Sequence, residues 1–326
     1  MTAPGAGPAD VFDRIRAACA TVATRARWVR IDETAVEALA ATVDREEPPL
    51  LPEERVGGDE EAVAASVLAW NAVNFGSGWF PDLRKRPGLS GARTLATCLA
   101  DHTEREGPPT ASWLAAARPE TCAAVFDQPH PGPVDDLLAL FARAWRDLGR
   151  LLTDRFAGSA AALVRSAGGS AAALVGTLDR MPLMHDVARH GDVEVPLYKR
   201  AQITASHLAR ATGGAGIGRF ADIGRLTAFA DNLVPHTLRM LDVLVYDDET
   251  AARIAGDDLF MPGEPAEVEI RACGVWAVEL LVEHLGRLRP GGPDVDAATV
   301  DHHLWQLGQS PEIKAVRRHR CRCPWY

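Results

Sequence analysis

Residues 134 to 156 read VDDLLALFARAWRDLGRLLTDRF, and Leu137, Leu140, Phe141, Ala144, Trp145, Leu148 and Leu152 recur there at steps of three and four. That spacing places them on one face of a helix, with Asp135 and Asp136 in the first turn, where the helix dipole favours anions. Similar patterns recur near residues 9–26, 59–75, 90–105, 159–180, 199–211, 223–245, 266–288 and 296–308, separated by Pro and Gly clusters such as EEPPLLPEERVGG and PGGPD. Strand-like runs are few and short, the clearest being WVRID at 28–32 and VEVPLY at 193–198. No fixed-period repeat or low-complexity linker divides the chain. The pattern predicts an all-α fold, a mostly helical unit in which a helical N-terminal segment, 1–57, packs on a main body, 58–326.

Charge narrows the function. Among 326 residues, 35 Lys and Arg face 44 Asp and Glu, a formal net charge of −9. A broad phosphate-tracking surface for nucleic acid is not expected from that balance, so any anionic ligand must be met by a local basic pocket. Lys supplies only three of the 35 cations (Lys85, Lys199, Lys314), so each Lys is worth inspecting. The six Cys (Cys19, Cys98, Cys122, Cys273, Cys321, Cys323) form no C-x-x-C pair and read as reduced thiols in the cytoplasm. The N-terminal MTAPGAGPADVFD lacks a cationic and apolar leader, and no run reaches about 18 apolar residues, so neither export nor membrane spanning is expected. GGAGIGRF lacks the third glycine of a dinucleotide loop, His302 and His303 are adjacent on a helix, and no H-E-x-x-H, P-loop or G-x-S-x-G occurs, so neither a cofactor nor a metal is called for.

Four places carry candidate chemistry. On the helix DEEAVAASVLAWNAVNF the stripe Val63, Val67, Trp70 continues to Asn74, followed by Phe75 and, past a glycine turn, Trp79. A carboxamide continuing a buried stripe needs partners, and two aromatics beside it could floor a pocket for a flat heterocycle, although Asn74 and Gly76 also suffice to end the helix. In PLYKRAQITASHLAR, Tyr198, Lys199 and Arg200 open a helix whose N-terminus disfavours cations, which hints at an anion. In FADIGRLTAFADNLVPHTLRML, Pro235 splits the pattern into a helix over about 223–231 and another beginning near Pro235, with Asp231 and Asn232 at the corner beside Phe229. Asp231 is then a cap or a charge-stabilising catalytic group, and Asp222 an N-cap or its partner in the site. Finally, Arg271 lies in the helix EVEIRACGVWAVELLVEHL, where Glu267 four residues earlier would pair with it, and the chain ends in the basic, aromatic stretch RRHRCRCPWY.

Taken in order, these residues resemble the queuosine-salvage proteins, which are queuosine 5′-phosphate N-glycosylases. The resemblance rests on Asn74-Phe75 with LRKRPGLSG, on YKRAQI at 198–203, on F-x-D-I-x-x-L-T-x-F-A-D at 220–231 with Pro235, on E-V-E-I-R-A at 267–272 with Trp276 to Glu279, and on His319, Arg320, Arg322, Cys323, Trp325 and Tyr326. It implies an all-helical catalytic domain over 58–326, with a helix-hairpin-helix element similar to that of DNA glycosylases, that hydrolyses the N-glycosyl bond of queuosine 5′-monophosphate and releases queuine.

The chemistry stands beside the name. A 7-deazaguanine lacks the N7 that helps a purine leave, so more of the barrier must be lowered on the sugar side, by a carboxylate near C1′. Asp231 is the choice for that role, and Asp222 for reading the guanine-like edge. Phe75 or Phe229 would stack on the base, and Lys199, Arg320 or Arg322 would hold the 5′-phosphate. Asn74, Trp79, Tyr198, Asn232, Arg271, Trp276 and Tyr326 complete the expected binding set. The expected partner is a modified nucleoside 5′-monophosphate, not stably bound nucleic acid. A base-excision protein would need a basic stripe, and a non-catalytic scaffold would leave Asp231 as a cap.

Overall fold

In the computed structural model the described residues are 10–43, 46, 48–51, 54–288 and 295–326; the PGGPD cluster, and residues 1–9, 44, 45, 47, 52 and 53 of the expected N-terminal segment, lie outside them. The helix Pro265–Leu288 is apolar nearly all round, and almost every side chain from Ala266 to Val278 is buried. Such a helix needs neighbours on every side. Val11–Arg25, Glu33–Ala40, Leu233–Met240 and Ala297–Leu307 supply them.

A second group gathers on Glu60–Val73, against which Asp135–Phe156, Ala160–Ser166 and Lys199–Ala211 pack. Every stripe residue expected on Asp135–Phe156 except Leu140 is buried, and the Trp145 indole N–H donates to Ala69 O at 2.9 Å. Gly149 lets the short helix Ala111–Ala115 lie directly on this one, because a Cβ there would meet the backbone of Ala111 and Ala115.

Among the described residues, strands are confined to three two-stranded sheets: Val29–Ile31 antiparallel to Leu244–Tyr246, Val187–His190 antiparallel to Val193–Pro196, and Leu259–Phe260 parallel to Arg320–Cys321. The last ties the C-terminal stretch to the body. The fold is thus mostly helical, as the periodicity predicted.

Two expected helices differ. The pattern over 159–180 is broken into Ala160–Ser166 and Ala171–Leu178 by Gly168 and Gly169, both at positive φ. Over 223–231 there is only a 3₁₀ turn, Ile223–Arg225, followed by irregular chain. Its backbone groups are taken by distant side chains: Gln202 Oε1 accepts from Thr227 N–H at 3.0 Å, Asp301 Oδ1 from Phe229 N–H at 2.8 Å, and Ala230 O from Arg271 Nε at 2.9 Å. The helix-turn-helix corner expected at Asp231 is therefore a loop running into the helix Leu233–Met240.

Candidate active site

A cavity of about 770 Å³ opens between the helices Glu60–Val73, Gly91–Glu106, Lys199–Ala211 and Ala297–Leu307. The first and third are antiparallel: Asn74 meets Lys199 at one end, and Asn71 reaches His207 further along. From Lys199 through Ile203 to His207 the wall runs about 12 Å at 1.5 Å per residue. One end holds Asn74, Phe75, Lys199, Phe229, Asp231, Asn232, Asp301 and Tyr326; the other holds Glu54, His207 and Arg210.

Asp231 is a cap, one of the two roles its position allowed, and it also lines the cavity. Its Oδ1 accepts the N–H groups of Leu233 and Val234, each at 2.8 Å, at the start of the Leu233–Met240 helix. Its Oδ2 takes no hydrogen bond among the described residues, and the side chain lines the cavity. Burial pushes its carboxyl above the usual range, opposed by the Lys199 ammonium and the two N–H groups.

Lys199 is buried at the first position of its helix, and its Nζ donates to Asn74 O at 3.3 Å. Burial brings the ammonium down to about 8, with Asp231 pulling the other way. Asn74 ends its helix, as expected, while its carbonyl faces the Lys. Asn232 is held by its Nδ2–H to His319 O at 3.2 Å. Phe75 is fixed edge-on by Phe141, ring centroids 5.0 Å apart, with the Arg200 guanidinium 4.7 Å from its ring centre.

Tyr326 closes the same end. Its backbone O accepts from Gly76 N–H at 2.9 Å and Ser77 N–H at 3.3 Å, and its hydroxyl meets His319 Nε2 at 3.3 Å. Arg271, fully buried, lies 4.6 Å from the Tyr326 ring centre and pairs with Asp186 at 2.7 Å and with Glu267 at 3.5 Å. The expected Glu267 pair thus exists, but Asp186 is the closer partner. Through Ala230 O and Tyr326, Arg271 braces the cavity from behind without lining it.

Other candidates are placed elsewhere. Asp222 accepts from Ala171 N–H at 2.6 Å, Ala172 N–H at 3.0 Å and the Ser170 hydroxyl at 2.9 Å, so it caps the Ala171–Leu178 helix outside the cavity. The base-reading role given to it does not fit that position. Tyr198 sits at φ 47° with its hydroxyl on Asp179 at 3.3 Å. Trp79 lies beneath the Arg322 guanidinium, 5.6 Å away, and Trp276 is half-buried on the Pro265–Leu288 helix; none of the three lines the cavity. Arg320 pairs with Asp257 at 2.6 Å and Arg322 with Asp82 at 2.8 Å, so the two C-terminal arginines expected at a phosphate are already engaged.

The sequence reading missed Asp301. Its carboxyl is buried beside Asp231, and burial together with the Asp231 charge pushes it well above the usual range, the Phe229 N–H and Lys199 opposing. His302 and Trp305 join it on the wall, with Phe229 and His302 rings 5.6 Å apart. The signal existed: Asp301 lies on the stripe Ala297, Val300, Leu304 of its helix, as Asn74 does on its own.

A family model described as Queuosine salvage protein matches residues 58–326. A queuosine 5′-phosphate N-glycosylase/hydrolase from Sphaerobacter thermophilus is 36% identical over an alignment of 330 residues, covering 98% of this chain and the full length of that protein. Proteins of the same description from Mus musculus and Schizosaccharomyces pombe are 32% and 33% identical, over 56% and 60% of this chain and 56% and 55% of their own lengths. The chain belongs to the queuosine salvage protein family.

Proposed function

We propose that the chain hydrolyses the N-glycosyl bond of queuosine 5′-phosphate, releasing queuine and ribose 5-phosphate. The observation that carries the reading is the closed end of the cavity, where Asp231 presents a carboxylate oxygen with Lys199 beside it and aromatic rings on the wall. The cavity volume suits a mononucleotide.

In the reaction the C1′–N bond breaks and its electron pair leaves with the base. A water oxygen bonds to C1′; one of its protons stays on the new hydroxyl and the other ends on the base. Asp231 opposes the positive charge that develops on the sugar and orients the water. Asp301 takes over the base-reading role. A carboxyl that keeps its proton can donate to the base carbonyl while accepting from the adjacent ring N–H, and that donated hydrogen bond stabilises the departing electron pair. Phe229 and Phe75 supply faces for the heterocycle. Lys199 holds Asp231 in its ionised form and anchors Asn74.

No helix among the described residues is long and apolar enough to cross a membrane, and the six cysteines are free and buried, which supports a cytoplasmic setting. The test is mass spectrometry of products from a panel of 7-deazapurine and ordinary purine 5′-monophosphates. Free queuine from queuosine 5′-phosphate is expected; unchanged nucleotide with every member would refute the reading.

A further inference from the structure

Behind the cavity, Asp186 and Arg271 form a buried pair that the reaction above does not use. Neither lines the cavity, and Arg271 Nη2 donates to Asp186 Oδ2 at 2.7 Å. A buried ion pair rarely stabilises a fold more than well-packed apolar side chains of the same volume would. What distinguishes this one is where its other hydrogen bonds go. Arg271 Nε donates to Ala230 O at 2.9 Å, one residue before Asp231. The same Asp186 Oδ2 that holds Arg271 also accepts the backbone N–H of Lys199 at 3.1 Å.

That N–H opens the Lys199–Ala211 helix and has no partner nearby in sequence, for Tyr198, at φ 47°, makes no side-chain cap. Asp186 takes over the end. Its backbone O accepts from Leu197 N–H at 2.9 Å and Tyr198 N–H at 3.1 Å, so with its carboxylate it holds three successive N–H groups where the chain turns into the helix. Arg271 is equally constrained, with Glu267 3.5 Å from Nη1 and the Tyr326 ring centre 4.6 Å from its guanidinium carbon. A planar guanidinium fixes the directions of Nε and Nη2 together, so the two acceptors, Asp186 and Ala230 O, cannot shift independently.

We infer that Asp186 is a positioning residue for the hydrolysis: through one carboxylate oxygen and the Arg271 fork it fixes the Lys199 and Asp231 backbones relative to each other. The inference rests on the roles given to those two residues above. The path is short, from Lys199 N–H to Asp186 Oδ2, to Arg271 and to Ala230 O, and it ends one peptide from the carboxylate that faces the sugar. Charge stabilisation by Asp231, and the hold of Lys199 on it, both depend on that distance.

The test is a double-mutant cycle read on Lys199 itself. With three lysines in the chain, lysine labelled with ¹³C at Cε gives three signals to follow by NMR against pH, and Lys199→Arg identifies the one. In the parent, Asp231→Asn should lower the Lys199 midpoint from about 8. In Asp186→Ala the same change should lower it less than half as far, because the two groups have separated. Asp186→Asn keeps an oxygen for both donors and should restore the full response. Turnover should follow, with kcat down about a hundredfold in Asp186→Ala and less than about fivefold in Asp186→Asn, KM staying within about threefold in each. Arg271→Lys, whose single ammonium cannot span Asp186 and Ala230 O, should behave as Asp186→Ala does and carries the test if that chain does not fold. An Asp231→Asn response of equal size in the parent and in Asp186→Ala or Arg271→Lys, or kcat losses that simply add to that of Asp231→Asn, would overturn the assignment. The two failures are separate: a parent that releases no queuine but shows the NMR coupling loses the enzymatic reading and keeps Asp186 as the group that sets the pair, whereas a parent that hydrolyses the nucleotide without the coupling loses the positioning role and keeps the enzyme.

Discussion

Asp231→Asn isolates charge from shape. The carboxamide oxygen can still accept from the Leu233 and Val234 N–H groups, now at 2.8 Å each, so the helix start keeps its cap. What disappears is the negative charge on the oxygen that faces the cavity. A unit charge about 4 Å from a developing cation is worth about 4 kcal/mol at an effective dielectric of about 20. That corresponds to about a thousandfold in turnover. Stability should not fall in parallel. Because burial raises this carboxyl, its ionised form is disfavoured in the folded chain, and that penalty grows as pH rises through the folded value. A neutral side chain removes the penalty, so the variant should melt at or above the parent temperature at neutral pH. Lys199, which Asp231 holds up, should titrate lower than about 8 in the variant. The assay is single-turnover release of queuine from queuosine 5′-phosphate, with queuine binding measured alongside. Turnover within about threefold of the parent, with binding intact, would show that Asp231 is only a cap.

Three further outcomes follow from the geometry. The rate should rise with pH as Asp231 ionises and fall near 8 as Lys199 loses its proton; an alkaline limb that stays in place in Lys199→Arg would remove Lys199 from the assignment. Asp222→Ala should lower stability by about 1 kcal/mol through loss of a helix cap, while turnover per folded molecule changes less than twofold; a large loss of turnover would return Asp222 to the chemistry. A chain ending at Cys321 should be inactive, because Tyr326 closes the cavity and its backbone O holds Gly76 and Ser77; a folded, fully active truncation would show that the C-terminal residues are dispensable.

Local periodicity reported most of the fold because most of it is local. Lys199–Ala211 and Asp135–Phe156 lie where their stripes placed them, and Asn74 and Asp231 stood out as polar residues among apolar neighbours. Apart from the helix broken locally at Gly168 and Gly169, most of the failures share one physical cause, partners far along the chain. The apolar pattern of 223–231 looks helical until Gln202, Arg271 and Asp301 take its backbone groups. Asp222 looked free for chemistry because the helix end it caps begins some fifty residues earlier. In RRHRCRCPWY, nothing local shows that Arg320 and Arg322 are already engaged; their partners, Asp257 and Asp82, lie far along the chain. Asp301 is different, for it sits on the stripe of Ala297, Val300 and Leu304 and was legible by the argument that found Asn74. A charged side chain on a buried stripe must either meet a partner or keep its proton. For Asp301, burial first and then the like charge of Asp231 favour the protonated form, the form able to donate the hydrogen bond to the leaving base that the proposed mechanism asks of it.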